Sequence, residues 1–426
     1  MKCLTLLLVS GPVLLAPWIA IATPPHDQSG TAYRNARQHA HRIADTAADP
    51  AKPVQVDEVR IGYFGPGQPD HPTAGDLWCA ALLATAEANA QGGYQGKPFR
   101  LVSAWSESPW KGGVTELARL IYNERIWAIV GGIDGPSTHL AEQLAAKAHL
   151  AVVSPVATDK SVNLAGVPWM FSCAPGDHLL AHTLAGAIAQ SKRHGPFVLL
   201  EANDHDSHLF AVELSKALAK RSVAPLHHFQ FSAHQTDLPP LVTRTVATQP
   251  GAIAVVADAA TSAAIIQVLR QEPQHAASSE HGRPVPVVFG TPAMAQKAFR
   301  RLAGEAAEGT QFPLVSLAET DQAPPQWASF AEAFEKRFGR APDYRAGQTY
   351  DAVRLVINSI HAAGLNRRQI AHTIQRGKTF DGVSGPIQWD PTGANTRSPT
   401  LGTIRQGQLS VLPTAKETAD PESSGT

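Results

Sequence analysis

The sequence predicts an α/β protein built from two doubly wound parallel-sheet units. Three observations lead there. Short apolar runs such as Trp127-Ala-Ile-Val130 and Leu150-Ala-Val-Val153 have the length and continuity of buried parallel strands. Each run ends in a turn rich in Gly, Pro, Ser and Thr and is followed by helical periodicity. The same alternation then starts again near Leu179, which predicts a second sheet wound like the first.

Taken in order, the chain opens with a secretory pattern. Lys2 supplies the positive start, Leu4 to Ile21 is mostly apolar, and Ala20-Ile21-Ala22 has the small-x-small form of a cleavage site, with Thr23 as the first mature residue. The alternative is an uncleaved membrane anchor. Residues 23–55, rich in Ala, His, Asp, Pro and Thr, read as a poorly ordered leader. The first unit begins at Val56. Val59 to Phe64 reads as a strand, Ala74 to Ala90 as a helix stopped by Gly92-Gly93, and Phe99 to Ala104 as the next strand. Val114, Leu117, Ala118 and Ile121 share one helical face. The strands at 127–130 and 150–153 follow, then a short one at Val167 to Phe171.

In the second unit, strands are expected at Phe197–Leu200, His227–Phe231, Ala252–Val256 and Val285–Phe289, with helices between them and a polar surface loop over 271–284. Two helices come next without a strand between them. The first carries the stripe Trp327, Phe330, Phe334 and Phe338, and the second carries Val353, Val356 and Ile360. A shorter helix covers Gln369 to Arg376. Strands at Gly385–Trp389, Thr400–Ile404 and Leu409–Leu412 close the fold, and the polar tail over 413–426 reads as disordered.

Composition narrows the function. Lys+Arg and Asp+Glu both number 36 in 426 residues, so the basic surplus of a nucleic-acid binder is absent. Cleavage would remove Cys3 and leave Cys79 and Cys173, either paired in an oxidising compartment or buried as free thiols. Neither His-Glu-x-x-His nor Gly-x-Ser-x-Gly occurs. Gly92-Gly-Tyr-Gln-Gly-Lys97 has the wrong spacing for a phosphate loop and follows a helix, not a strand. The sequence therefore predicts no enzyme, no cofactor and no metal.

The residues that attract attention sit in two turns, Asp134 to Thr138 and Ser154 to Thr158. A strand followed by a polar turn and a helix N-terminus leaves N–H groups and hydroxyls at the carboxyl edge of a sheet. Open α/β sheets bind small ligands there, anions in particular. One half of a ligand site is placed on these turns; the competing reading is ordinary helix capping by Asp134, Ser137 and Thr158. A third loop, Asn203-Asp-His-Asp-Ser-His208, offers Asp204, His205, Asp206 and His208 to a polar ligand or a metal, or merely caps a helix. Asp351, beside Tyr350, reads as compensation of a helix dipole.

Several local words in this order resemble a known family. They are Ile61-Gly-Tyr-Phe-Gly-Pro66, Ala88-Asn-Ala-Gln-Gly-Gly-Tyr-Gln-Gly96, Ile129-Val-Gly131, Ser154-Pro-Val-Ala-Thr158, Thr349-Tyr-Asp-Ala-Val353 and Phe380-Asp-Gly-Val-Ser-Gly385. The chain resembles the type I periplasmic solute-binding proteins of ABC transporters, in the branched-chain amino-acid receptor group. The resemblance implies two lobes joined by three hinge segments, near 172–176, 314–318 and 378–384. The lobes would be 56–173 plus 317–378, and 174–316 plus 379–412.

It further implies that Ser137, Val156 and Thr158 hold an α-carboxylate, with Asp134, Gly135 or Pro136 contributing. The second lobe would face the solute near Asp206, Asp258 and Thr291, where the family's two tyrosines and ammonium-binding acid are replaced. Trp78 and Trp105 fall at the mouth of the cleft, where they would pack on the ligand or simply on the fold. The implied protein is a monomeric periplasmic receptor that passes a small amino-acid-like or carboxylate solute to a membrane permease. The alternatives are a sensor or partner-docking protein that keeps the fold, and a metal-dependent enzyme using the 203–208 loop.

Overall fold

The computed structural model describes residues 55–164, 166–191, 195–272 and 285–413. The expected signal segment, the leader up to residue 54, most of the 271–284 loop and the tail from residue 414 lie outside these residues.

The first sheet holds β1 (Val59–Phe64), β2 (Phe99–Ala104), β3 (Ala128–Gly131), β4 (Ala151–Ser154) and β5 (Met170–Ser172), all parallel, in the order β2-β1-β3-β4-β5. Every residue of β3 and β4 is buried, as expected of strands covered on both faces. Helices α1 (Gly75–Ala90), α2 (Val114–Ala118), α3 (Gly135–Ala148) and α4 (Ser161–Leu164) connect them.

Two local expectations are corrected. The helix around Val114 is not regular, because π-type turns over 109–113 and 119–123 flank α2. A π turn adds a residue and rotates the apolar face. Leu117, Leu120 and Ile121 are accordingly buried, while Val114 is 40% exposed. Strand β5 starts later than Val167, since Pro168 has no N–H to give to a ladder.

The second half repeats the winding. Helix α5 (Asp177–Gln190) leads into β6 (Phe197–Ala202), α6 (His205–Ala219), β7 (His227–Phe231), α7 (Pro239–Ala247), β8 (Ala252–Val256), α8 (Ala259–Gln271), β9 (Val287–Gly290), α9 (Lys297–Ala303) and β10 (Gln311–Leu314). The chain then returns to the first sheet's helices. α10 (Pro325–Phe338) and α11 (Tyr344–Ala363) pack against α1, and α12 (Arg367–Gly377) packs against α11. The stripe of α10 is buried at Trp327, Phe330 and Phe334. The hairpin β11 (Thr379–Gly382) and β12 (Gly385–Gln388) leads back to β13 (Thr400–Arg405) and β14 (Gln408–Val411).

The parallel part of the second sheet runs β10-β9-β8-β6-β7, and β13 and β14 add to its β10 edge in antiparallel sense. This sheet is therefore a parallel sheet with an antiparallel pair on one edge. Within each parallel set the strand order reverses between the first and third strands, which places a crevice at the carboxyl ends of β1 and β3 and of β6 and β8.

The described thiols resolve one open alternative: Cys79 and Cys173 are both free and buried. Asp351 is also reassigned. It lies in the third turn of α11, past the N-terminal dipole, and accepts the N–H groups of Val383 (2.8 Å) and Ser384 (2.9 Å) and the Ser384 hydroxyl (2.5 Å). It ties the hairpin connection to the helix.

Candidate functional site

Turns at the carboxyl ends of the two sheets converge on one cleft of about 850 Å³. Asp134, Val156 and Thr158 line it from the first sheet, and Asp206, Asp258 and Thr291 from the second. Six of the ten sequence-predicted residues are thus brought together, and Ser137, Pro136, Trp78 and Trp105 are not among the lining residues.

The turn after β3 shows why. Gly132 has φ +80°, and a Cβ there would stand 2.0 Å from Thr138 Oγ1, so the chain can turn this tightly only at glycine. Asp134 then caps α3: its Oδ1 accepts the Ser137 N–H at 2.8 Å and the Ser137 hydroxyl at 2.5 Å. Ser137 Oγ accepts the Ile133 N–H at 3.0 Å in return. The Ser137 side chain is fully buried and its hydroxyl is committed to this box. The capping alternative describes this hydroxyl in the structure. Pro136 sits half-buried in the first turn of α3.

The two tryptophans pack on the fold. Trp78 lies on Tyr63 with ring centroids 5.0 Å apart, and Trp105 lies on Phe64 at 5.5 Å while its Nε1 donates to Glu107 at 2.9 Å.

On the opposite side, N-caps face the cleft in succession. Asp204 accepts the Ser207 N–H at 2.9 Å to cap α6, and Asp258 accepts the Thr261 N–H at 2.8 Å to cap α8. Thr291 Oγ1 accepts the Ala293 N–H and donates to the Ala257 carbonyl, both at 3.3 Å. Asp206 is different. Its two carboxylate oxygens take the Gly135 N–H at 3.1 and 3.2 Å across the cleft. A Cβ on Gly135 would come within 2.4 Å of that carboxylate, so the approach needs glycine. Burial, reinforced by Asp134, pushes the Asp206 carboxyl up to about 6, and the Gly135 bond opposes the shift. The N–H group that the sequence offers to a ligand anion therefore holds an internal carboxylate.

The 203–208 loop is helical from His205, yet its two histidines part ways. His205 Nε2 meets Asp159 Oδ2 at 3.3 Å, across the cleft, and His208 Nδ1 meets Glu201 at 2.9 Å within its own sheet.

Sequence reasoning missed Asp177 and Tyr344, both in the cleft lining. Asp177 opens α5 after Pro175-Gly176, the turn between the two halves, and that turn was its only signal. It is 3% exposed, burial pushes its carboxyl well above the usual range, and its Oδ1 meets no partner among the described residues. Tyr344 follows Arg340-Ala-Pro342, which reads only as a helix stop.

Comparison with known proteins fits this geometry. Residues 58–408 match the family described as periplasmic binding protein. The structure is similar to the branched-chain amino acid transporter substrate-binding protein LivJ of Streptococcus pneumoniae, solved with isoleucine. The TM-score is 0.72 at 22% identity, over 83% of this chain and 99% of that one. It is also similar to an ABC-transporter solute-binding protein of Rhodopseudomonas palustris solved with benzoate (TM-score 0.70, 15% identity, 83% of this chain and 95% of that one). A Pseudomonas aeruginosa amino acid binding protein is 30% identical over 115 residues, which span 27% of this chain and 31% of that protein. With a match across nearly all the described residues and two wound sheets facing one cleft, the chain belongs to the periplasmic binding protein family, solute receptors of the type I fold and not enzymes.

Proposed function

We propose that the chain is the extracytoplasmic receptor of an ABC-type uptake system and holds a small amino-acid-like solute between two closing lobes. The lobes are 56–173 plus 317–378 and 174–316 plus 379–412. The observation that carries this reading is the cleft itself, where acid-bearing turns from both sheets converge. Asp134, Asp206 and Asp258 bring carboxylates there from both sheets, which favours an ammonium group over a second anion. Arg301 lines the same cleft and offers a counterpart for the solute's carboxylate. A solute whose ammonium draws Asp206 away from Gly135 inserts between the lobes and biases them toward its own closed form. The receptor acts as a monomer in the periplasm, needs no cofactor or nucleic acid, and delivers its solute to a membrane permease.

The test is calorimetry against amino acids, amides, amines and small carboxylates. Binding by an ammonium-bearing member is expected, and the reading fails if no member binds. The Asp206–Gly135 contact joins the lobes through internal groups alone, and so favours a second reading as a sensor or docking protein. Retention of permease subunits in a pull-down distinguishes the receptor from it.

A further inference from the structure

The geometry points to a divalent-cation site, suited to Zn2+, that clasps the two lobes beside the cleft through His139, Asp159 and His205. His139 lies on α3 and Asp159 follows β4, whereas His205 is the first residue of α6 in the second half. One ligand atom from each lies within 4.8 Å of the others. Asp159 Oδ2 is 3.0 Å from His139 Nε2 and 3.3 Å from His205 Nε2. Ligands about 2.0–2.1 Å from a tetrahedral zinc stand roughly 3.3 Å apart, so two of the three edges already have that length. The two imidazole rings lie nearly perpendicular, centroids 6.4 Å apart, and each presents its Nε2 to the shared carboxylate oxygen.

The surroundings are those of a ligand set held in place. Glu142 Oε2, 2% exposed, lies 3.4 Å from His139 Nδ1, the carboxylate-behind-histidine arrangement that orients a metal-binding imidazole. The other oxygen of Asp159 accepts the Ser161 N–H at 2.8 Å and the Ser161 hydroxyl at 2.6 Å, which turns Oδ2 toward the histidines. Ser161 Oγ is also 2.8 Å from His139 Nε2 and is the group an ion would displace there. Asp159, Glu142 and the neighbouring Asp206 supply negative charge to offset the ion. His205, with its side chain 45% exposed, leaves the site open to solvent for access and for a water as fourth ligand. Because the ligands come from both sides of the cleft, a bound ion stabilises the closed arrangement. This site is independent of the solute reading, since no solute group takes part.

The experiment is calorimetric titration of tag-free, chelator-treated protein with ZnCl2 alone, paired with small-angle scattering. One ion per chain and a smaller radius of gyration are expected. His205→Gln, at an exposed position, should weaken binding at least about tenfold and abolish the compaction, and Glu142→Gln should weaken it by about tenfold. His228→Gln, a histidine outside the site, should leave affinity unchanged. A far-UV spectrum and melting curve confirm that each variant folds. The proposal is overturned if no stoichiometric site is found, or if His205→Gln and His139→Gln bind as the wild type does. Neither result touches the solute assignment.

Discussion

Asp351 and Asp206 are the same residue type, and burial pushes both carboxyls up to about 6, yet they do different work. Asp351 is 1% exposed and accepts three hydrogen bonds from Val383 and Ser384. Among the described residues the Asp206 carboxylate takes only the Gly135 N–H, and that donor belongs to the opposite side of the cleft. A saturated carboxylate fixes a junction; a carboxylate with one borrowed donor is a partner that a solute can replace. The contrast teaches that burial and a raised pKa do not identify a binding residue by themselves. Whose donors the carboxylate takes, and whether they move with it, decides the matter.

The contrast can be broken most sharply at Asp351. Asp351→Ala leaves buried donors without an acceptor, at about 1–3 kcal/mol for each such group. Urea unfolding should show a loss of about 3 kcal/mol or more, and a loss below about 1 kcal/mol would mean the junction tolerates the gap.

The pH dependence tests the same residue more gently. Its folded-state pKa of about 6 lies above the ordinary 3.8, so the native state binds the proton more tightly than the unfolded chain. Its contribution to stability is therefore present at low pH and is lost as pH rises from about 4 to about 6. The stability of Asp351→Asn relative to wild type should rise by up to about 3 kcal/mol across that window. A difference that is flat with pH would contradict the assignment.

The smaller effect on stability belongs to Asp206. Asp206→Ala should cost about 1 kcal/mol in the same urea assay while weakening an ammonium-bearing solute about tenfold or more. The reverse pattern, lost stability with unchanged affinity, would make Asp206 a second Asp351.

The difference also explains what the sequence could convey. The β3 and β4 runs and the restart of the winding are local signals, and both sheets follow from them. Asp258 and Thr291 are expected only through the resemblance, and they line the cleft together with Asp134, Val156, Thr158 and Asp206. A hydroxyl in a turn looks alike whether it faces a ligand or closes a capping box four residues wide, and that of Ser137 closes the box. Position near a cleft mouth says nothing of the direction of a side chain, so Trp78 and Trp105 stay open between ligand and fold in the sequence, and in the structure they pack on Tyr63 and Phe64. The Asp206–Gly135 and His205–Asp159 contacts join residues 71 and 46 positions apart, so no local pattern announces them. The two antiparallel strands beside β10 were seen as strands, but their sense depends on the path of the chain and not on their composition.

The central claim, that the cleft selects an ammonium-bearing solute, is tested most directly by calorimetry with matched compounds: an amino acid that binds and the carboxylic acid of the same skeleton without its amine. The account predicts that the amino acid binds at least about tenfold tighter, one charge-assisted hydrogen bond being about 1.5–3 kcal/mol. Equal affinity for the deaminated acid would contradict it.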